Sequence, residues 1–480
     1  MKVIAMNETG SNDSEGPRHE PYPGPENYFD GGVFVPRRLA NHILGRLPRI
    51  ITLDDTKEML MYGPEEGLYF PAESEIEAEI DRALSERREI RYIRETLAAI
   101  QTSTYIKRSI LNKDLHLIHL KNGIYDLEAN TLRPFRSDVI SIVQIPIIYD
   151  KKASCPNIMK FMKEVVIAGD INVVQEWFGY LLYKGYPIQV ALMLLGEGAN
   201  GKSTLLGLMR EFVGRFNVSS VPLQDFGHNR FAEAQLYGKF ANICGDLSNK
   251  AVEDTSVFKM LTGGDPIYAE HKFKPPFSFV NYAKLTFSCN QIPETKDDSD
   301  AYHRRWMILD FSNKFEEEKA DKNLLNKFKT PEELSGLFNW AVEGLKRLLE
   351  NGGFSNGVST KEKKVYYLRK SSPVKAFLTD CIEYDSESEV LKDAVYDEFF
   401  RYCRKHGVLA PKKGEFSSKL KKLAELIDES KVGRANNRVW AWRGIRLKVP
   451  SEQVQLTIDD VDEDVQYVQD GHPNPTSTSL

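Results

Sequence analysis

The stretch best equipped for chemistry is Gly196 to Thr204, G-E-G-A-N-G-K-S-T, which satisfies G-x-x-x-x-G-K-[ST] through Gly196, Gly201, Lys202 and Ser203. Residue type and spacing serve one task. Glycines let backbone N–H groups turn inward around a polyphosphate, and a helix starting near Lys202 would point its positive dipole end at the same anion. Lys202 adds a point charge for the outer phosphates, and Ser203 offers a hydroxyl to Mg²⁺. With Glu197, Gly198, Ala199, Asn200 and Thr204, these residues form a candidate binding loop for ATP and Mg²⁺.

Such a loop needs a strand before it and a helix after it. Val190 to Leu195 is an apolar run suited to a strand buried on both faces, and Leu205, Leu206, Leu208 and Met209 continue with helical spacing. Downstream, Phe240–Cys244 runs into Asp246, Leu285–Ser288 into Asn290 and Trp306–Leu309 into Asp310. Ligands of open α/β sheets sit beyond the carboxyl ends of the strands, so an α/β core over residues 187–315 is expected, with these polar residues round its nucleotide. Asp246 is either a turn cap or a Mg²⁺ holder acting through the ion's water shell. Asn290 either makes an Asx turn before Ile292-Pro293 or orients the attacking water and touches the γ-phosphate. Arg304 and Arg305 serve equally as surface ion pairs or as an arginine finger on a neighbouring subunit's nucleotide. His271, Lys272, Phe273 and Lys274 interleave charge with an aromatic. That pattern suits a plain basic turn, or a grip on single-stranded DNA by phosphate neutralisation and base stacking.

Composition narrows the rest. With 480 residues there is room for several domains, and a net charge of −5 excludes no partner because the charge is unevenly distributed. The five cysteines make no C-x-x-C pair and no Cys/His cluster, which argues against structural zinc and a disulfide framework. No apolar run approaches the roughly 18 residues of a membrane span, and the N-terminus lacks a signal-peptide core, so no membrane partner and a location in the host cytoplasm are expected.

The chain then divides. Residues 1–28 and the acidic 450–480 read as disordered tails. Residues 29–150 read as an α+β accessory domain, with helices at Arg37–Leu47 and Glu75–Ile100, a hairpin from Met59 to Phe70, and a second hairpin turning at Asn122-Gly123. The ATPase domain, 151–355, begins with a helical stretch over 156–186 and closes with a helix that starts at Thr330-Pro331, uses Glu333 as a capping-box residue and stops at Gly352-Gly353. Lys361–Lys370 reads as a charged connector. Residues 372–449 carry helices at Val374–Cys381, Ala394–His406 and Glu415–Leu426 and then two strands, a winged-helix pattern. From Lys392 to Lys448 there are fifteen Lys or Arg against seven Asp or Glu. Lys412, Lys413, Lys419, Lys422, Arg434 and Arg438 are therefore candidate contacts for a DNA backbone, the alternative being a winged helix that contacts only protein.

Five motifs in order resemble the helicase half of phage and plasmid primase-helicases and the poxvirus primase-helicase, within the superfamily three helicases. They are G-E-G-A-N-G-K-S-T, K-F-A-N-I-C-G-D-L, K-M-L-T-G-G-D-P-I-Y-A-E-H-K-F-K, K-L-T-F-S-C-N-Q-I-P and H-R-R-W-M-I-L-D-F. Upstream, I-H-L-K-N-G-I-Y-D-L and I-Y-D-K-K-A-S-C-P-N-I-M-K-F resemble the domain that precedes the ATPase in that family, so the likeness spans about residues 30–450. The resemblance implies a homo-hexameric AAA+ ring that travels on single-stranded DNA and unwinds forked DNA in the replication of a virus, phage or plasmid, with a primase or polymerase as partner. By position it implies that Lys202, Ser203 and Thr204 hold phosphate and Mg²⁺, that Asp246 is the second acidic motif and that Asn290 is the sensor. It further implies that Arg305, directly before Trp306, is the trans-acting arginine in preference to Arg304, and that His271, Lys272 and Lys274 grip DNA in a central channel. Two features depart from the family: Leu247 stands where many relatives carry a second acid, and residues 1–150 hold neither primase zinc ligands nor a D-x-D pattern. A helicase without its own primase is the expectation. The rival readings are a nucleotide-switched DNA-binding replication initiator and a packaging or transposition ATPase.

Overall fold

Apolar runs buried along nearly their whole length need strands on both sides and cover on both faces. Ala191–Leu195, Ala241–Cys244 and Lys284–Cys289 are such runs. In the computed structural model, which describes residues 22–316, 321, 323–424, 427–433 and 438–448, they lie in one parallel sheet of five strands. Its order is Val218–Ser219, Ala241–Cys244, Lys284–Cys289, Ala191–Leu195, Trp306–Asp310. The expected mixed α/β core with a parallel sheet is thus present. On one face the sheet packs on helices Pro156–Val165, Ile171–Leu182, Lys202–Val213 and Pro331–Asn351 through residues such as Phe161, Trp177, Phe212 and Phe338. The other face buries Phe258, Phe287, Tyr302, Trp306 and Tyr367 together.

The N-terminal unit has its own apolar centre, including Leu39, Ile76, Ile80 and Ile100, beside a sheet ordered Leu68–Pro71, Met59–Gly63, Ile50–Leu53, Tyr105–Ile106. The helix read over Glu75–Ile100 is two helices, Glu73–Leu84 and Ile90–Thr104, because Ser85 turns the chain at φ +48. The stretch read as helical over 156–186 likewise divides, with a 3-10 turn at Ala168–Asp170 between its two helices. In the second hairpin Gly123 pairs with Leu120, so Lys121 and Asn122 make the turn, one residue earlier than expected. A third strand, Thr131–Arg133, sets that register, since the Arg133 carbonyl lies 2.4 Å from where a Cβ on residue 123 would be. Ile118, Leu120 and Tyr125 of this sheet share one apolar cluster with helices Pro156–Val165 and Ile171–Leu182. The tail read over 1–28 yields a 3-10 turn at Pro25–Tyr28 with Tyr28 buried; residues 1–21 and the tail beyond 448 lie outside the described residues.

Helix Pro331–Asn351 starts and stops where the sequence puts it, with the Thr330 hydroxyl accepting from the Glu333 N–H at 3.3 Å and Gly352 at φ +64. Glu333 departs from the expected box. Its buried carboxylate accepts from the Asn157 N–H (3.0 Å), the Asn157 amide (2.8 Å) and the Ile158 N–H (3.1 Å), capping a different helix, Pro156–Val165. The region read as a connector is a helix, Thr360–Ser371, closed by a capping box between Ser359 and Glu362. It buries Tyr367, whose hydroxyl donates to the Pro293 carbonyl at 2.8 Å.

The C-terminal unit folds as helix Pro373–Cys381, strand Ile382–Leu391, helices Lys392–Lys405 and Lys413–Leu423, and strands Asp428–Val432 and Val439–Leu447. The strand over 382–391 is absent from the sequence reading because I-E-Y-D-S-E-S-E-V-L is acidic and bulged between Asp385 and Glu389. Among the described residues no helix is long and apolar enough to cross a membrane.

Removing three bonds to a buried carboxylate is expensive. Glu333→Ala is expected to lower unfolding free energy in urea by about 2–3 kcal/mol, whereas Glu332→Ala, exposed in the same first turn, should stay within about 0.5 kcal/mol.

Candidate functional site

Strand Ala191–Leu195 delivers the loop at the carboxyl edge of the sheet, and helix Lys202–Val213 leaves from it. Gly196 donates to the Cys289 carbonyl (3.2 Å), Phe311 to the Leu195 carbonyl (2.7 Å) and Phe315 to the Ala199 carbonyl (2.8 Å), so the chain on both sides holds the loop. The buried Asn200 amide adds a bond to the Phe311 carbonyl at 3.0 Å. A Cβ on Gly196 would lie 2.4 Å from both Asn200 Nδ2 and the Phe311 oxygen, and one on Gly201 would lie 2.6 Å from Val165 in a φ +87 backbone. A Cβ on Gly198 would meet nothing within 4 Å.

The Lys202 ammonium is folded onto the loop, donating to the carbonyls of Gly196 and Glu197 and to Asn200 Oδ1 at 3.1 Å. Burial lowers its pKa from the ordinary lysine value, opposed by the nearby Cys289 and Asp246. Ser203 is exposed and Thr204 partly so, both in the first turn of the helix. Asp246 follows strand Ala241–Cys244 in an exposed left-handed turn, φ +52, with its N–H on Ser288 Oγ at 3.4 Å. Leu247, in the place of a second acid, is buried in the apolar cluster on the far face. Asn290 is exposed at the end of strand Lys284–Cys289 and lines one cleft with Gly196, Glu197 and Asn200. The fold therefore brings loop, Asp246 and Asn290 to one edge. Among the described residues no three His, Cys, Asp or Glu side chains form a cation cage. Ser203 and Asp246 supply one hydroxyl and one carboxylate, donors of the kind that Mg²⁺ takes alongside water.

The two arginines stand elsewhere and differ. Strand Trp306–Asp310 pairs with the loop strand in register, Ala191 opposite Trp306 and Leu195 opposite Asp310. Arg304 and Arg305 precede that strand and the loop follows its neighbour, a separation of about 17 Å for five residues of strand. Arg305 is buried, donating to Thr262 Oγ1 at 2.9 Å and to the Ala301 carbonyl. Arg304 is exposed, with a bond to Gln189 Oε1 at 2.6 Å.

Strands Pro266–Ala269 and Phe277–Val280 form an antiparallel hairpin with His271, Lys272, Phe273 and Lys274 exposed at its tip. Phe273 is 93% exposed at φ +65, and the Lys272 ammonium sits 4.9 Å from its ring centre. His271 stacks on Phe277, and partial burial of its ring, followed by the nearby Lys274, lowers its pKa. Sequence reasoning missed what aims this hairpin. Arg108 bonds Asp55 (2.7 and 2.9 Å) and the Tyr237 hydroxyl (2.7 Å) and lies 4.7 Å from the ring centre of Phe277, the strand residue next to the tip, fastening that end of the hairpin to the N-terminal unit. A lone arginine followed by Ser and Ile carries no local signal for that role.

In the C-terminal unit Lys412, Lys413, Lys419 and Lys422 are all exposed on or beside helix Lys413–Leu423. Lys413 pairs with Asp393, and Lys419 with Glu415 at 2.9 Å. Arg438 is exposed; Arg434 lies outside the described residues.

Residues 35–167 match a family described as D5 N terminal like, and residues 194–305 match a family of unknown function, DUF5906. "Putative helicase L207/L206" of Acanthamoeba polyphaga mimivirus is 28% identical over 221 residues, covering 43% of this chain and 22% of that protein. "Putative helicase 184R" of Invertebrate iridescent virus 6 is 26% identical over 263 residues, 48% of this chain and 27% of that protein. The chain thus spans about a quarter of the length of these relatives. A solved structure of the NrS-1 C terminal region is 12% identical at a TM-score of 0.43, over 85% of this chain and 98% of that one. The chain is thus similar to a D5 N-terminal-like family in its first third and to helicase-named viral proteins over less than half its length.

The loop geometry separates its glycines. Gly201→Ala is expected to cost about 1–3 kcal/mol of stability, and Gly196→Ala to lower the melting temperature likewise. Gly198→Ala should be within about 0.5 kcal/mol of the parent; calorimetry of the three variants distinguishes them.

Proposed function

We propose that this chain carries the motor of an ATP-driven DNA helicase for viral replication, built as an AAA+ core with a winged-helix unit behind it. The proposed working form is a homo-hexameric ring on single-stranded and forked DNA, with a primase or polymerase as partner. The helicase names of the viral relatives support the class. The observation that carries the reading is the placement of Arg304, exposed at the opposite end of the strand pair from its own loop. Five strand residues away, it cannot reach its own nucleotide, so any role on nucleotide phosphate is on a neighbouring copy's. Of the two arginines Arg304 is therefore the proposed finger, and Arg305 a brace for the turn that presents it.

In this reading the loop amides and Lys202 hold the β- and γ-phosphates, Asn290 orients the attacking water, and Ser203 and Asp246 hold Mg²⁺. Bound there, Mg²⁺ neutralises charge on the phosphate oxygens. Phe273 stacks on a base while Lys272 and Lys274 neutralise the flanking phosphates, a grip that reads no sequence.

Strand displacement on tailed forks with ATP and Mg²⁺ tests the whole. Lys272→Ala should retain nucleotide binding and lose unwinding; unwinding at the parent's rate would favour the initiator reading. Lys202→Ala and Arg304→Ala should each reduce hydrolysis by about 10²-fold or more, and mixing the two variants should restore part of it at mixed interfaces. No recovery on mixing would sink the shared site.

A further inference from the structure

A cleft of about 910 Å³ opens between the loop and the C-terminal unit, within the size range of small-molecule sites. One wall holds Gly196, Asn200 and Asn290; the facing wall holds Lys370, Glu415 and Lys419. The helix Lys413–Leu423, basic enough to suggest DNA, therefore contributes Glu415 and Lys419 to the lining of a cleft that the loop also lines through Gly196, Glu197 and Asn200. Lys419 and Glu415 are half-exposed and paired at 2.9 Å, a surface ion pair that a phosphate could readily replace. A second link runs behind it. Asn200 bonds the Phe311 carbonyl at 3.0 Å; the adjacent Asp310 accepts from the Tyr366 hydroxyl and lies 4.0 Å from Lys370, which donates to the Gly407 carbonyl at 3.1 Å. Loop and C-terminal unit thus share one polar seam.

We propose that Lys419 is a nucleotide contact: it leaves Glu415 to bind the terminal phosphate of a nucleoside triphosphate held by the Gly196–Thr204 loop. The triphosphate then clamps the basic C-terminal unit to the core, and the diphosphate, lacking that phosphate, releases it. The inference rests on the nucleotide reading above. Coupling of this kind is reciprocal, so a DNA that favours the released unit weakens triphosphate binding by the same factor.

The test titrates the full chain with a fluorescent non-hydrolysable ATP analogue and with fluorescent ADP. Lys419→Ala should weaken the triphosphate about tenfold and leave ADP within twofold, Lys419→Arg should retain most of the affinity, and Lys405→Ala should change neither. Hydrogen exchange over residues 407–419 should be slower with the triphosphate than with ADP in the parent and equal in Lys419→Ala. Parental triphosphate affinity in Lys419→Ala, equal weakening of both nucleotides, or equal protection by both in the parent would overturn the inference. If Lys202→Ala also binds both nucleotides like the parent, the nucleotide reading itself is what has failed.

Discussion

Ala191 opposite Trp306 and Leu195 opposite Asp310: this parallel register decides where the loop and the two arginines stand. It continues past the strand as the bond from the Phe311 N–H to the Leu195 carbonyl, and the Asn200 side chain then closes the loop onto the Phe311 carbonyl. On the other side Gly196 is held by Cys289, directly before Asn290. A slip by one residue would reverse every side chain of the strand and part the loop from both neighbours. The same register sends Arg304 to the far edge of the sheet from the loop.

Charges buried around this sheet are satisfied by convergent partners. Lys284 donates to the carbonyls of Tyr183 (2.7 Å), Gly185 (2.8 Å) and Tyr282 (2.7 Å), tying the strand that ends at Asn290 to the chain leaving helix Ile171–Leu182. Glu333 caps Pro156–Val165 from a helix almost 180 residues later, and Arg108 fastens the hairpin at Phe277, next to its tip, to the N-terminal unit. Such groups contribute more to orientation than to net stability, because desolvation offsets most of their attraction. Of the seven non-glycine residues with positive φ among the described residues, three, Ala199, Asp246 and Phe273, fall on the loop, the acidic turn and the hairpin tip. Backbone held out of its preferred regions persists where the surrounding structure over-determines it, and it gathers at functional sites.

The helix Thr360–Ser371 gives the C-terminal unit a defined place. Tyr366 reaches Asp310 at the edge strand, and Tyr367 reaches Pro293 and Tyr302 within the core. A segment rich in lysine is usually a solvated surface; here two adjacent tyrosines make it a joint.

By itself the sequence determined what is local. The loop's chemistry, the strand ahead of it, the helix after it, the Thr330 cap and the hairpin with its basic tip all follow from residue type at short spacing, because backbone propensity and hydrogen-bond inventory act over a few residues. Tertiary structure decided everything that joins distant positions. It gave Glu333 to another helix, chose which of two adjacent arginines faces solvent, and set a sheet-edge arginine under the hairpin. It also set Lys419 in the lining of a cleft shared with the loop and admitted the acidic strand Ile382–Leu391 as the partner of Val439–Leu447. Those outcomes depend on which surfaces meet, and burial and electrostatic pairing between residues far apart in the chain leave no periodic trace along it.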